Sequence, residues 1–251
     1  MTGTMILRII LGLLLLLIPA SVLYLWDKKL LRGLGLGVVR MVGQTLVLCL
    51  MVWALLRYDH VWVSLLWLVL LCVYTSGVII TRVKGRLSRL LLPVSIAQIV
   101  GTLLPTCYLL TVMLPGTEGF TTRWLVPAGA LLMSHITASQ IRGLSTYLSA
   151  IETDREQYEF LLGNGKEHLG AVIPFVRRAV QAILSPSAAQ LAVTGLFTMP
   201  LLLAGMLLAG VAPLNAFIAM LLFTCGCLAG SVIALILSLW LCDRYLFVKN
   251  A

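Results

Sequence analysis

Hydrophobic residues in this chain fall in long unbroken blocks instead of one-sided stripes. LLLLLI at 13–18 and LLWLVLL at 65–71 are apolar on every face of a helix, the pattern of an element surrounded by hydrocarbon. A bilayer core of roughly 30 Å is crossed by about 20 such residues in a helix. Seven windows of that kind are predicted: 5–26, 36–56, 61–80, 90–114, 124–148, 188–209 and 213–241. The runs do not alternate polar with apolar residues over about ten positions, as the strands of a membrane barrel must. The fold class expected is therefore all-α, a polytopic membrane protein with seven transmembrane helices and residues 1–251 in a single transmembrane domain. The first window is read as a retained helix, because its apolar run is long and no A-x-A cleavage site is evident.

One stretch breaks the pattern. Between the fifth and sixth windows, residues 149–187 contain ETDREQYEFLLGNGKEH, and two short helices are predicted there. The first opens on a capping box of Thr153 and Glu156, with Asp154 and Glu156 near the positive end of its dipole. It closes at Gly163 and Gly165, taken as left-handed terminators, and Tyr158, Leu161 and Leu162 give it a small apolar stripe. The second runs from Lys166 to Leu184, stops before Pro186, and holds Arg177 and Arg178 near lipid headgroups. Pattern alone is satisfied either by a solvated loop with a surface helix or by a docking lever for another protein.

Composition agrees with the blocks: 61% of residues are hydrophobic, 11% are charged and the mean hydropathy is +1.05, whereas soluble domains are about 45–50% apolar. The net charge of +9 belongs to topology and not to nucleic acid, because the basic residues gather at span ends. Lys28, Lys29, Arg32, Arg82, Lys84, Arg86, Arg89, Arg142, Arg155, Lys166, Arg177, Arg178, Arg244 and Lys249 fall on one side, against Arg8, Arg57 and Arg123 on the other. The expected topology has the N-terminus outside and the C-terminus in the cytoplasm, in the cytoplasmic (inner) membrane. The six cysteines lie in or beside apolar windows and are expected to be reduced, buried and structural.

Little in the chain suggests chemistry of its own. A phosphate-cradling loop needs G-x-x-x-x-G-K-[ST], and the nearest approach, Gly165-Lys166, has Phe160 at the first glycine position and Glu167 at the metal-ligand position. ATP and Mg²⁺ are therefore expected on a partner, and the chain is expected not to be an enzyme. Asp and Glu occur only at span ends or in connections, which disfavours ion-gradient coupling. The polar residues expected inside spans include Gln44, Gln98, Ser134, His135, Thr137, Ser139, Gln140, Thr194 and Thr198. Each serves either as an interhelical hydrogen bond or as part of a solute path. His135 has the further option of metal binding. Met199, Met206 and Met220 suit either a path or irregular packing. Cys225 and Cys227 point about 200° apart on a helix and do not share one ion, so metal ligands are left unassigned. Gly226-x-x-x-Gly230 and Gly205 with Ala209 are small-residue surfaces for close helix approach, and Pro200 marks the place of a moving or solute-lining element.

The segments VRMVGQTLVL, EQYEFLLGNGKEH, PFVRRAVQAILSPSAAQ, VTGLFTMP and AGMLLAGVAPLNA together resemble the permease subunits of Fet-type iron-export ABC transporters, related to plant aluminium-sensitive proteins. The family pattern G-L-V-x-L-P-G-M-M-T-G-Q-I-L-x-G is matched by Gly195, Leu196, Pro200, Gly205, Leu208 and Gly210, with Pro213 following; Leu201, Ala204 and Met206 replace its Gly, Thr and Gln. The resemblance implies a homodimeric permease driven by a separate cytoplasmic ATPase, with iron as substrate. The surface expected to bear the partner's force comprises Glu152, Asp154, Glu156, Tyr158, Glu159, Leu161, Leu162 and Gly163. The expected solute path comprises Gln44, Ser134, His135, Thr194, Thr198, Met199, Pro200 and Met206. Organic-solute export, of a nucleotide sugar for instance, and a non-transporting scaffold that recruits a cytoplasmic partner are the alternatives.

Overall fold

The computed structural model describes residues 7, 11, 12, 14–26, 28–83, 87–113, 120–166, 168–193 and 200–247. Every regular element among them is helical: α1 (Leu17–Trp26), α2 (Lys28–Tyr58), α3 (Val61–Val83), α4 (Leu87–Met113), α5 (Thr122–Thr153), α6 (Arg155–Gly163), α7 (His168–Val193), α8 (Leu201–Leu208) and α9 (Pro213–Phe247). They form two units, Met1–Tyr58 and Asp59–Ala251. In the first, α1 packs on α2, and the side chains of α2, Gln44 included, are largely exposed within the unit. Residues 14–26 of the first predicted span are described, and α1 makes up its second half.

Among the described residues, four helices are long and apolar enough to cross a membrane: Leu30–Tyr58, Val61–Val83, Leu90–Met113 and Pro213–Asp243. α5 matches them in length, but it carries the polar run SHITASQ at 134–140, much of which turns inward.

The second unit is a bundle in which α9 packs most extensively on α4. Glycines make that approach possible. A Cβ on Gly230 would stand 2.7 Å from the carbonyl oxygen of Gly101, one on Gly101 would stand 2.6 Å from Ala234 Cβ, and one on Gly226 would stand 2.6 Å from Leu109 Cδ1. The small surface expected from Gly226 and Gly230 thus faces α4. Gly205 has no such neighbour among the described residues. Around this pair the core is layered. Ile79, Ile80, Val94, Leu144, Ala179, Ile183, Leu235 and Leu239 fill one end, Leu109, Leu132, Ile136 and Ala234 the middle, and Leu68, Leu110, Leu125 and Ala128 the other end. Buried polar groups pair between helices: the amide of Gln98 donates to Thr137 Oγ1 at 3.0 Å, and Gln140 donates to Gln98 Oε1 at 3.1 Å. The interhelical option holds for these three.

Several local expectations are corrected. The fifth helix does not stop near 148 but runs to Thr153, where Asp154 N still donates to Ala150 O. Thr153 therefore sits inside α5, the capping box with Glu156 does not form, and Asp154 is the N-cap of α6 without a side-chain capping bond. Gly163 is helical; the left-handed residue is Gly165 alone, at φ 78°, and the bonds Lys166 N to Leu161 O and Gly165 N to Leu162 O close the helix as a Schellman motif. Pro186 does not end the second segment either. α7 carries both Pro174 and Pro186 in its interior, which is tolerated where packing secures the helix, and here Ile183 and Ser187 are buried on either side. The window 188–209 is not one helix: its start is the last quarter of α7, and its end is the eight-residue α8, capped by Pro200. α7 has already entered the core at Ala179 and Ile183, so this helix begins earlier than hydropathy placed the sixth window. An apolar window reports the surroundings of residues, not the continuity of their backbone. Of the cysteines, Cys72, Cys227 and Cys242 are buried, whereas Cys49 and Cys225 are exposed; all six are free.

Candidate functional site: the charged helix and the His135 cavity

Two places gather the residues singled out from sequence. The first is α6, which divides into two faces. Asp154, Tyr158 and Leu161, spaced by four and three residues, turn toward the rest of the chain and are partly buried, as helical periodicity requires. Arg178 of α7 donates to the Asp154 carboxylate, and its guanidinium lies 5.9 Å from the ring centre of Phe175. Tyr158 packs edge-on against Phe175 at 6.4 Å. Its hydroxyl lies 2.8 Å from His168 Nδ1, and His168 Nε2 lies 2.7 Å from Asp243 Oδ1 at the end of α9. Burial, and then the negative charge of Asp243, push the Tyr158 phenol above its usual pKa. A neutral hydroxyl can donate to Nδ1 while Nε2–H donates to the carboxylate.

The other face is open. Glu156, Glu159, Phe160, Leu162 and Gly163 are exposed, as is Glu152 in the last turn of α5, and Phe160 retains 68% of its surface. Arg155 and Glu159 bond to each other at 2.8 Å along this face, an exposed pair of small energetic weight. The eight coupling residues predicted from sequence therefore do not all lie on one face. Asp154, Tyr158 and Leu161 fasten the helix, and the other five face outward. Fastening depends on residues that sequence reading did not connect with α6: Arg178 was assigned to lipid, and His168, Phe175 and Asp243 were given no role. The i, i+4, i+7 spacing of Asp154, Tyr158 and Leu161 was the available signal.

The second place is a cavity of about 190 Å³ where α5, α7, α8 and α9 meet. His135 from α5, Ser187 and Gln190 from α7, Pro200 at the head of α8, and Met220 and Thr224 from α9 line it, with Cys227 and several leucines beside them. Ser187 Oγ donates to Ile183 O at 2.9 Å and Thr224 Oγ1 to Met220 O at 2.7 Å, so both hydroxyl oxygens keep capacity to accept. His135 Nε2 is buried and has no hydrogen-bond partner among the described residues. A buried polar atom without a partner is costly, which makes this the most evident place for a polar solute. No carboxylate lines the cavity, and no cluster of three or more His, Cys, Asp or Glu able to hold a metal ion occurs among the described residues.

The structure thus brings together His135 and Pro200 from the predicted path. Ser134 is exposed and donates to Leu131 O of its own helix, Met206 does not line the cavity, and Gln44 belongs to the first unit. Thr194, Thr198 and Met199 lie outside the described residues. Ser187 and Gln190 lie in the PFVRRAVQAILSPSAAQ segment but were given no role, and Thr224 was missed because it sits in an apolar run.

No solved structure matches this chain. A UPF0014 membrane protein of Synechocystis sp. (strain ATCC 27184 / PCC 6803 / Kazusa), slr1647, is 26% identical over 177 residues, 70% of this chain and 68% of the relative. The family described as "Uncharacterised protein family (UPF0014)" matches residues 6–247. A helical chain with several membrane-length apolar helices and a match over nearly its whole length, this protein belongs to the UPF0014 family of membrane proteins.

Proposed function

We propose that this chain is the permease subunit of an ABC-type exporter in the cytoplasmic membrane. It crosses seven times, with α7 as the sixth crossing in place of the 188–209 window, with the N-terminus outside and α6 and the C-terminus in the cytoplasm. It works as a homodimer, and a separate cytoplasmic subunit supplies ATP and Mg²⁺. The observation that carries the reading is the outward face of α6, which exposes Phe160 together with Glu156 and Glu159, next to the exposed Glu152 in the last turn of α5. An exposed apolar side chain beside several carboxylates, one of them paired with Arg155, has the composition of a docking site for a basic groove, and membership of a membrane-protein family covering residues 6–247 supports the placement.

The transported solute follows from resemblance and from the cavity, which pull apart. Resemblance implies iron. The cavity is lined by an imidazole, an amide and two hydroxyls with no carboxylate, groups that suit a small polar organic solute better than a hard cation, whose preferred ligands are carboxylates and other oxygens. Export of an organic solute is thus the second reading. The test for the leading one is affinity purification from the native membrane with identification of bound subunits. Recovery of a nucleotide-binding subunit, lost in Glu156→Lys/Glu159→Lys, is the expected result. No ATPase under mild detergent would instead favour a scaffold.

A further inference from the structure

α6 is a nine-residue helix with no fully buried side chain, too short to be stable alone. Whatever force it receives must leave through its few fixed contacts. One of these, Asp154 to Arg178, ends on α7, the helix next in sequence. The other does not stop there. Tyr158 reaches His168, and His168 reaches Asp243, which stands 75 residues further along the chain at the end of α9. α9 is the helix packed most closely on α4, through the Gly101–Gly230 contact, and it also carries Met220 and Thr224 of the His135 cavity.

We infer that His168 is a positioning residue, a hydrogen-bonded pin that joins the lever to α9, so that displacement of α6 is delivered to the cavity-lining helix as well as to α7. The inference rests on the proposed coupling to an ATPase. Its geometric content is that one imidazole uses both nitrogens, one toward Tyr158 at 2.8 Å and one toward Asp243 at 2.7 Å, across three helices that are not consecutive. Imidazole suits this task because its two polar atoms sit on opposite sides of a rigid ring. The T-shaped contact between Tyr158 and His168, with ring centres 6.0 Å apart, fixes the ring plane further. Hydrogen bonds that connect elements with two arrangements are the kind of contact through which coupling travels.

The test is hydrogen–deuterium exchange on the full-length chain with its co-purified ATPase, with and without a non-hydrolysable ATP analogue. In the unsubstituted protein the analogue is expected to change exchange both in 155–163 and in the last turns of α9. In Tyr158→Phe, which removes one hydroxyl, and in His168→Ala, the lever is expected still to respond while the α9 response is lost. His168→Gln, whose amide can donate and accept, is expected to restore part of it, which a merely structural role for the ring would not predict. An α9 response that persists in both Tyr158→Phe and His168→Ala overturns the inference. A lever that ignores the nucleotide in the unsubstituted protein overturns the coupling reading beneath it, and the two failures are told apart by which segment is silent.

Discussion

The α4–α9 contact and the α6 lever are held by opposite means. Between α4 and α9, glycine backbones touch where no side chain fits, and apolar layers continue above and below. On α6, a few polar side chains reach across to α7 and α9, and half of the helix faces away from the protein. The first arrangement resists any displacement, since close-packed interiors leave no slack. The second gives way at small cost, since segments with few buried apolar contacts open locally before the whole molecule does. The permease proposed above, driven by an external push, needs both, a stiff body and a yielding handle.

The largest effect is expected from breaking the stiff half. Gly230→Leu forces its side chain into the carbonyl of Gly101 and is expected to abolish the folded bundle, while Gly230→Ala costs about 1–3 kcal/mol by overpacking; thermal unfolding in detergent reads both. Next comes the handle's open face. Phe160→Asp is expected to leave that melting temperature in place while weakening capture of the ATPase subunit about 30-fold, the equivalent of an interface hot spot of about 2 kcal/mol. A parallel loss of stability would show that Phe160 belongs to the fold. His135→Leu is expected to change stability by less than about 1.5 kcal/mol, since it trades an unpartnered nitrogen for apolar bulk. Solute export in vesicles is expected to fall while partner binding stays intact. Arg155→Ala removes only an exposed pair and is expected to shift stability by no more than about 0.5 kcal/mol.

The smallest effect concerns the pin itself. With its folded pKa raised, Tyr158 adds its hydrogen bond fully below the ordinary phenol value of about 10, and that contribution disappears as pH climbs through the higher folded value. The difference in ultraviolet absorbance between the unsubstituted protein and Tyr158→Phe is therefore expected to titrate above the ordinary phenol value of about 10. A midpoint at the ordinary value would mean that neither burial nor Asp243 acts on the hydroxyl.

Much of the architecture was legible in the chain because its cause is local. Blocks of apolar residues dictate helices wherever lipid or a helical core surrounds them, so α2, α3, α4 and α9 fall close to their predicted windows. Gly165 and Gly210, at φ 78° and 82°, mark helix ends because only glycine adopts that backbone without strain. Charge at 152–168 announced a segment outside the apolar blocks. The tertiary structure decided the rest. Whether Asp154 would face a partner or Arg178, and whether α7 would stop at Pro186 or pass through it, depends on neighbours 24 or more residues away. The pairing of Tyr158, His168 and Asp243 was invisible for the same reason. A hydrogen bond across 75 residues leaves no period in the sequence, because what brings its ends together is the packing of the helices between them.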